Sequence, residues 1–111
     1  MSVAGADDAL RCPFLSNHFL VLLCVARDPD VRVRDIAPAV GITERATQAI
    51  LADLIDAGYL ERTRIGRRSH YRVRRGTSLR QPLVAEHTVG TLIDALGGGP
   101  TDASPPRQLV Y

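Results

Sequence analysis

Residues 33–54 carry the pattern that most constrains the fold, because two apolar periodicities are separated there by one glycine. Ile36 and Val40 fall one helical turn apart, which predicts a short helix with one apolar face. Gly41 can adopt the positive φ at which a helix ends. Thr43 follows with a side-chain oxygen that can cap a second helix. The segment is therefore predicted to form a helix-turn-helix.

The second helix of this motif is predicted over residues 44–57. Its buried face is indicated by an apolar stripe at spacings of four, four and three residues: Ala46, Ile50, Leu54 and Ala57. The intervening side chains are expected to point away from the core: Glu44, Arg45, Gln48, Ala52 and Asp53. In a helix-turn-helix the second helix enters the DNA major groove. A plain helical hairpin with a glycine turn would imitate part of this pattern, so the flanking sequence decides between them.

The chain before this motif is predicted to contain an arm, a helix and a short strand. Residues 1–15 have no clear periodicity and are predicted to form an N-terminal arm. A helix is predicted from residue 16 or 17 to about Arg27, and its apolar residues on every side are typical of a buried helix. A turn at residues 28–30 and a strand at residues 31–33 are predicted to follow.

The chain after the motif is predicted to form a β-hairpin. Two segments with alternating polar and apolar residues, 59–65 and 69–75, are joined by Gly66, Arg67 and Arg68. A hairpin directly after the recognition helix is called a wing. All 14 basic residues of the chain are arginines, and half of them lie in residues 62–75, although the net charge is only +2. Their clustering favours a nucleic-acid partner more than the total charge does.

The last predicted element is a C-terminal helix over residues 82–96, with Pro82 in its first turn. One continuous apolar stripe supports it: Ala85, Val89, Leu92, Ile93 and Leu96. Residues 97–111 are predicted to be a disordered tail. The fold class is therefore mainly α with a small β-hairpin (α+β), a winged helix-turn-helix domain over residues 16–96.

Composition and motifs argue against several other classes of function. No stretch approaches the ~20 apolar residues that span a bilayer, and no signal peptide is recognised, which predicts a cytoplasmic protein without membrane contact. Neither catalytic motifs nor a phosphate-binding glycine loop is found, so no enzymatic activity and no cofactor are predicted. Cys12 and Cys24 are too few for a disulfide framework. Glu86 and His87 diverge on a helix, so no metal site is predicted.

This order of elements resembles the winged-helix bacterial regulators of the MarR and ArsR type over about residues 17–96. The most specific segments are 35–37, 40–43, 54–60 and 66–71. The resemblance implies a homodimeric transcription regulator whose partner is double-stranded DNA. The chain is short for the MarR type, which builds its dimer and ligand pocket from longer terminal helices. A small-molecule effector is therefore not indicated.

Under this interpretation the recognition helix reads bases and the wing binds phosphates. Arg45 can pair with guanine and Gln48 with adenine, each through two hydrogen bonds. Thr43 can contact a phosphate or a thymine methyl group, and Glu44 can accept from cytosine or simply stabilise the helix N-terminus. The phosphate contacts are expected from arginines of the wing and its surroundings: Arg34, Arg62, Arg64, Arg67, Arg68 and Arg72. His70 either joins them or is a surface residue without a role.

A homodimer is expected to form through the first and last helices, using Phe19, Leu20, Leu23, Val89, Leu92, Ile93 and Leu96. It would place two recognition helices about 34 Å apart, which predicts inverted-repeat sites. The alternative for the C-terminal stripe is packing against its own domain. For the whole protein, the primary hypothesis is a DNA-binding repressor, and the alternative is a winged-helix protein-interaction module without specific DNA binding. RNA binding ranks last, because exposed aromatic side chains for base stacking are lacking.

Overall fold

The computed structural model describes residues 14–97, so the predictions for residues 1–13 and 98–111 of the arm and tail lie outside the described residues. The helices are α1 (Asn17–Arg27), α2 (Val33–Val40), α3 (Glu44–Asp56) and α4 (Val89–Ala95), and the strands are β1 (Leu60–Ile65) and β2 (Arg68–Val73), with one 3-10 turn at Pro82–Val84. This order confirms the predicted fold class, a winged helix-turn-helix with a small β-hairpin. Within residues 14–97, no helix combines the length and apolar character needed to cross a bilayer.

The first helix forms much as predicted. The side chain of Ser16 accepts a hydrogen bond from the Phe19 amide at 3.1 Å and so caps the N-terminus of α1. Val21 and Val25 are buried in the core, whereas Cys24 is only partly buried. Within the single chain one flank of α1 borders solvent, and burial of that flank by a second subunit stays a prediction.

The helix-turn-helix is confirmed in its local chemistry. Gly41 ends α2 with φ +89°, and its amide donates to the Ala37 carbonyl at 2.8 Å. Thr43 caps α3, because its hydroxyl oxygen accepts from the Ala46 amide at 3.0 Å. The buried side of α3 includes two residues outside the predicted stripe, Thr47 and Leu51, beside the predicted Ile50 and Leu54. The other two predicted residues, Ala46 and Ala57, are only partly buried. Thr47 can lie in the core because its hydroxyl donates to the Thr43 carbonyl at 2.9 Å.

The strand predicted at residues 31–33 is wrong. Val33 is the first residue of α2, and the preceding two residues have no strand partner. Both Val31 and Val33 pack partly buried against the core, one from a loop and the other from a helix start. Their alternation therefore reflects two separate contacts. The nearest equivalent of a strand pairing is one hydrogen bond, in which the Tyr71 amide donates to the Pro29 carbonyl at 2.8 Å.

The predicted wing is confirmed as an antiparallel pair of β1 and β2, in which Leu60 lies opposite Val73 and Ile65 opposite Arg68. Gly66 adopts φ +63° in the turn between the strands. Only the base of the hairpin reaches the core, through the buried side chains of Leu60 and Tyr71. The outer half projects into solvent, which is what a surface for binding requires.

The continuous helix predicted over residues 82–96 is wrong in its first half. After the 3-10 turn the chain is not helical again until Val89, and Thr88 has extended backbone angles. The amides of Val89 and Gly90 donate to the carbonyls of Thr77 and Arg75, both at 2.9 Å. Carbonyl groups of the loop after the wing thus satisfy the first amides of α4 and fix where the helix begins.

Glycine at position 90 permits this junction. A β-carbon there would lie 3.0 Å from the Arg75 carbonyl oxygen and 3.1 Å from the Arg75 β-carbon, so a larger residue would push the loop away. The start of α4 is therefore held by a close backbone approach that only the smallest residue allows without displacement.

The predicted dimer surface is partly wrong, because three of its residues are buried within the chain. Leu23, Val89 and Ile93 are buried in the core of the chain itself, so they are not available to a second copy. Leu92 and Leu96 are exposed, and Phe19 and Leu20 are partly buried. The predicted apolar stripe is thus divided between an inner row and an outer row, and only the outer row can contact a partner.

Candidate nucleic-acid interface

The exposed face of α3 presents the predicted base-reading side chains together. Burial of Thr47, Ile50 and Leu51 fixes the rotation of the helix, and this leaves Arg45 and Gln48 exposed one turn apart. Glu44 and Thr43 lie exposed at the start of the helix. The Thr43 oxygen accepts the capping hydrogen bond, but its O–H can still donate to a phosphate.

A groove of about 420 Å³ lies between the wing and the beginnings of α2 and α3. Its polar lining is Asp30, Arg32, Arg34, Glu44, Arg67, Arg68 and Ser69. Four arginines face two carboxylates there, so the groove carries a positive excess. Guanidinium groups pair with phosphate oxygens through two parallel hydrogen bonds. The groove is therefore suited to a polyanion backbone passing beside the start of α3.

Arg32 is a member of this groove that the sequence analysis missed. It directly precedes α2 and is exposed. The strand predicted for residues 31–33 obscured its position, because a strand and a helix start direct the side chain differently. Its position two residues before Arg34, a predicted phosphate contact, was the sequence signal for including Arg32 in the interface.

The wing arginines fall into two groups by their contacts within the chain. Arg72 donates to one oxygen of Glu61 from Nη2 at 2.7 Å and from Nε at 3.1 Å, and Arg74 donates to the other oxygen at 2.8 Å. These hydrogen bonds, the one from Arg72 foremost, lower the pKa of the Glu61 carboxyl. Arg72, a predicted phosphate contact, is thus already paired. Among the described residues, Arg62, Arg64 and Arg67 form no ion pair.

Two histidines make contacts that the sequence pattern does not indicate. His70 Nδ1 lies 2.8 Å from the Asp30 carboxylate, and Arg68 donates to the Asp30 backbone carbonyl at 3.1 Å. The wing is thereby held to the turn before α2. His18 Nε2 lies 2.9 Å from the carboxylate of Asp53 and so joins the start of α1 to the exposed side of α3. Both contacts fix the elements of the interface relative to one another.

A helix-turn-helix followed by a two-stranded wing defines the winged-helix class of regulators. A family model described as "MarR family" matches residues 14–68, about half of the chain, from α1 to the tip of the wing. This match supports a winged-helix regulator of the MarR type with the fold of the family's transcription regulators, which confirms the MarR part of the predicted resemblance. Regulators of this family are generally not enzymes, and the lack of catalytic activity in this chain stays a prediction.

Similarity to solved structures is weaker. A MarR family protein of Mycobacterium tuberculosis, crystallised in complex with salicylic acid, is 22% identical with a TM-score of 0.47. The match covers 79% of this chain and 64% of that protein, so the chain spans less than two thirds of its length. None of the curated proteins matches the chain.

Proposed function

We propose that the protein is a sequence-specific regulator of transcription, acting as a repressor, that binds double-stranded DNA. In this proposal α3 enters the major groove, and the wing contacts phosphates and the minor groove. The observation that carries it is the convergence of Arg34 from α2 with Arg67 and Arg68 from the wing beside the exposed start of α3. A duplex whose major groove held α3 would bring its phosphate backbone to these guanidinium groups.

The proposal includes a homodimer that binds an inverted repeat. Two recognition helices related by a two-fold axis would contact half-sites about 34 Å apart, one turn of DNA. The exposed Leu92 of α4 and Leu96 directly after it support this assembly, with Phe19 and Leu20 as further apolar contributors. A chain of this size buries a modest core, so a second copy would add apolar burial.

The test of DNA binding is fluorescence anisotropy with a labelled duplex from the region upstream of the protein's own gene, beside a scrambled duplex. We expect tighter binding to the native duplex and a log affinity that falls linearly with log salt. The double variant Arg67→Ala/Arg68→Ala should weaken binding to both duplexes and reduce the salt slope by about 2, because two phosphate contacts are lost.

The matched control is Arg27→Ala/Arg80→Ala, which removes the same charge from positions outside the groove. Arg27 bonds the Leu96 carbonyl, and Arg80 lies over the Tyr59 ring at 4.7 Å. This control should retain the wild-type salt slope, with circular dichroism verifying that each variant is folded. Absence of binding to either duplex at low salt would refute the proposal and leave a protein-interaction module as the function to pursue.

Replacing Glu61 with glutamine is expected to strengthen DNA binding about threefold at low salt. The carboxylate neutralises Arg72 and Arg74 on the wing, and the amide would leave their charge available to phosphates. The same titration measures this effect, with Glu86→Gln as the control because Glu86 is exposed on the loop before α4. Unchanged or weaker binding by the Glu61 variant would show that these two arginines do not face the duplex.

A further inference from the structure

The tip of the wing carries one exposed aliphatic side chain. Ile65 ends β1 and is 61% exposed, although its neighbours in residues 62–70 are polar side chains and one glycine. An isoleucine adds nothing to the core at such a position, because the hairpin meets the core only at its base. Its burial requires a partner outside the chain.

The surroundings of Ile65 specify the charge of that partner. Arg64 precedes it in the sequence, Arg68 lies directly across the hairpin, and Arg67 is in the turn between them. Among the described residues, Arg64 and Arg67 form no ion pair, and Arg68 bonds only a backbone carbonyl. An apolar side chain among cations matches a polyanion with an apolar interior, and the stacked bases of duplex DNA between two phosphate backbones meet that description.

The register of the hairpin pairs Ile65 with an arginine of the candidate interface. Directly paired residues of antiparallel strands share a face, and Ile65 is paired with Arg68. Arg68 lines the groove beside Glu44 at the start of α3. Ile65 therefore lies directly across the hairpin from an arginine of this groove. A β-branched side chain next to a tight turn is also stiff, which lowers the entropy lost on insertion.

We propose that Ile65 is a wedge that enters the DNA minor groove between two base pairs, and that it makes the protein favour easily deformed sites. This inference rests on the proposed DNA binding and adds a determinant of specificity to it. Pyrimidine–purine steps such as TpA and CpA unstack readily, whereas A-tracts are stiff with a narrow minor groove that attracts arginine. A wedge therefore predicts tighter binding to duplexes with pyrimidine–purine steps, whereas a wing that acts through arginine alone predicts tighter binding to A-tracts.

The experiment compares two labelled duplexes of about 30 bp and equal base composition, one with TpA and CpA steps throughout and one with A-tracts. Anisotropy measures affinity, and energy transfer between dyes on the two ends measures bending. The wild-type protein should favour the step-rich duplex by on the order of tenfold and shorten its end-to-end distance. Ile65→Thr keeps the β-branched shape without the apolar end, and it should abolish both effects while keeping the salt slope.

Leu83→Thr is the control, because Leu83 is 92% exposed on the loop outside the wing, and it should behave as the wild type. A preference for A-tracts, or a step preference that survives Ile65→Thr, would overturn the wedge while leaving DNA binding intact. Failure of the wild-type protein to bind either duplex would instead overturn the proposed function itself. The two failures are therefore distinguishable in one set of titrations.

Discussion

Replacing Arg45 and Gln48 together with alanine is expected to lower affinity for the specific duplex on the order of a hundredfold, because each lost bidentate base contact costs about 1–3 kcal/mol. Both side chains are exposed on the first turns of α3, and within residues 14–97 neither hydrogen-bonds another side chain. Affinity for the scrambled duplex should fall less than about threefold, since non-specific binding depends on phosphates. Anisotropy titrations on both duplexes measure the two effects.

Arg45→Lys separates base reading from charge in this prediction. Lysine keeps the positive charge at the start of α3 but lacks the planar fork that pairs with guanine O6 and N7. This variant should retain non-specific affinity and lose about tenfold on the specific duplex. If the double alanine variant weakened binding to both duplexes equally, Arg45 and Gln48 would be backbone contacts, and the base-reading role would be wrong.

The helix-turn-helix and the wing can be predicted from the sequence because local chemistry specifies them. Gly41 takes the positive φ that ends α2, and Thr43 supplies the capping oxygen for α3. Gly66 supplies the turn of the hairpin in the same way. Each of these signals acts within a few residues, so the sequence window that contains it also contains its partner.

The start of α4 cannot be predicted this way, because its determinants are distant in the chain. The spacing of apolar residues in 85–96 predicts one continuous helix. The amides of Gly90 and Val89 instead donate to the carbonyls of Arg75 and Thr77. Such contacts depend on how the loop folds back after the wing. The same holds for the segment at residues 31–33, where alternation indicates burial but not the element that produces it.

The candidate site shows the same division between local and long-range determinants. Exposure of Arg45 follows from the helical period, which the sequence contains. Pairing of Arg72 with Glu61 follows from the strand register, which places the two residues opposite each other. A count of arginines on the wing therefore overstates the charge available to DNA. The geometry distinguishes paired arginines from those without an ion pair in the described part of the chain.

Replacing Ile93 with alanine is expected to lower the free energy of unfolding by about 2–5 kcal/mol, a large part of the ~5–15 kcal/mol typical of a small domain. Ile93 is 0% exposed and contributes to the same core as Val21 and Ile36. Truncation would leave a cavity between α4 and that core. Urea denaturation followed by circular dichroism measures the loss as a lower midpoint.

Leu92→Ala is the matched control, since Leu92 is the adjacent residue of α4 and is 36% exposed. In the monomer it should cost about 0.5 kcal/mol or less, as surface substitutions do. Denaturation at two protein concentrations separates the inner and outer residues of α4. The unfolding midpoint of a dimer rises with protein concentration, and loss of a dimer contact weakens that dependence. Only the Leu92 variant should change that dependence. Equal losses for both variants would mean that α4 packs primarily against a second copy, with Ile93 in the interface and not in the core.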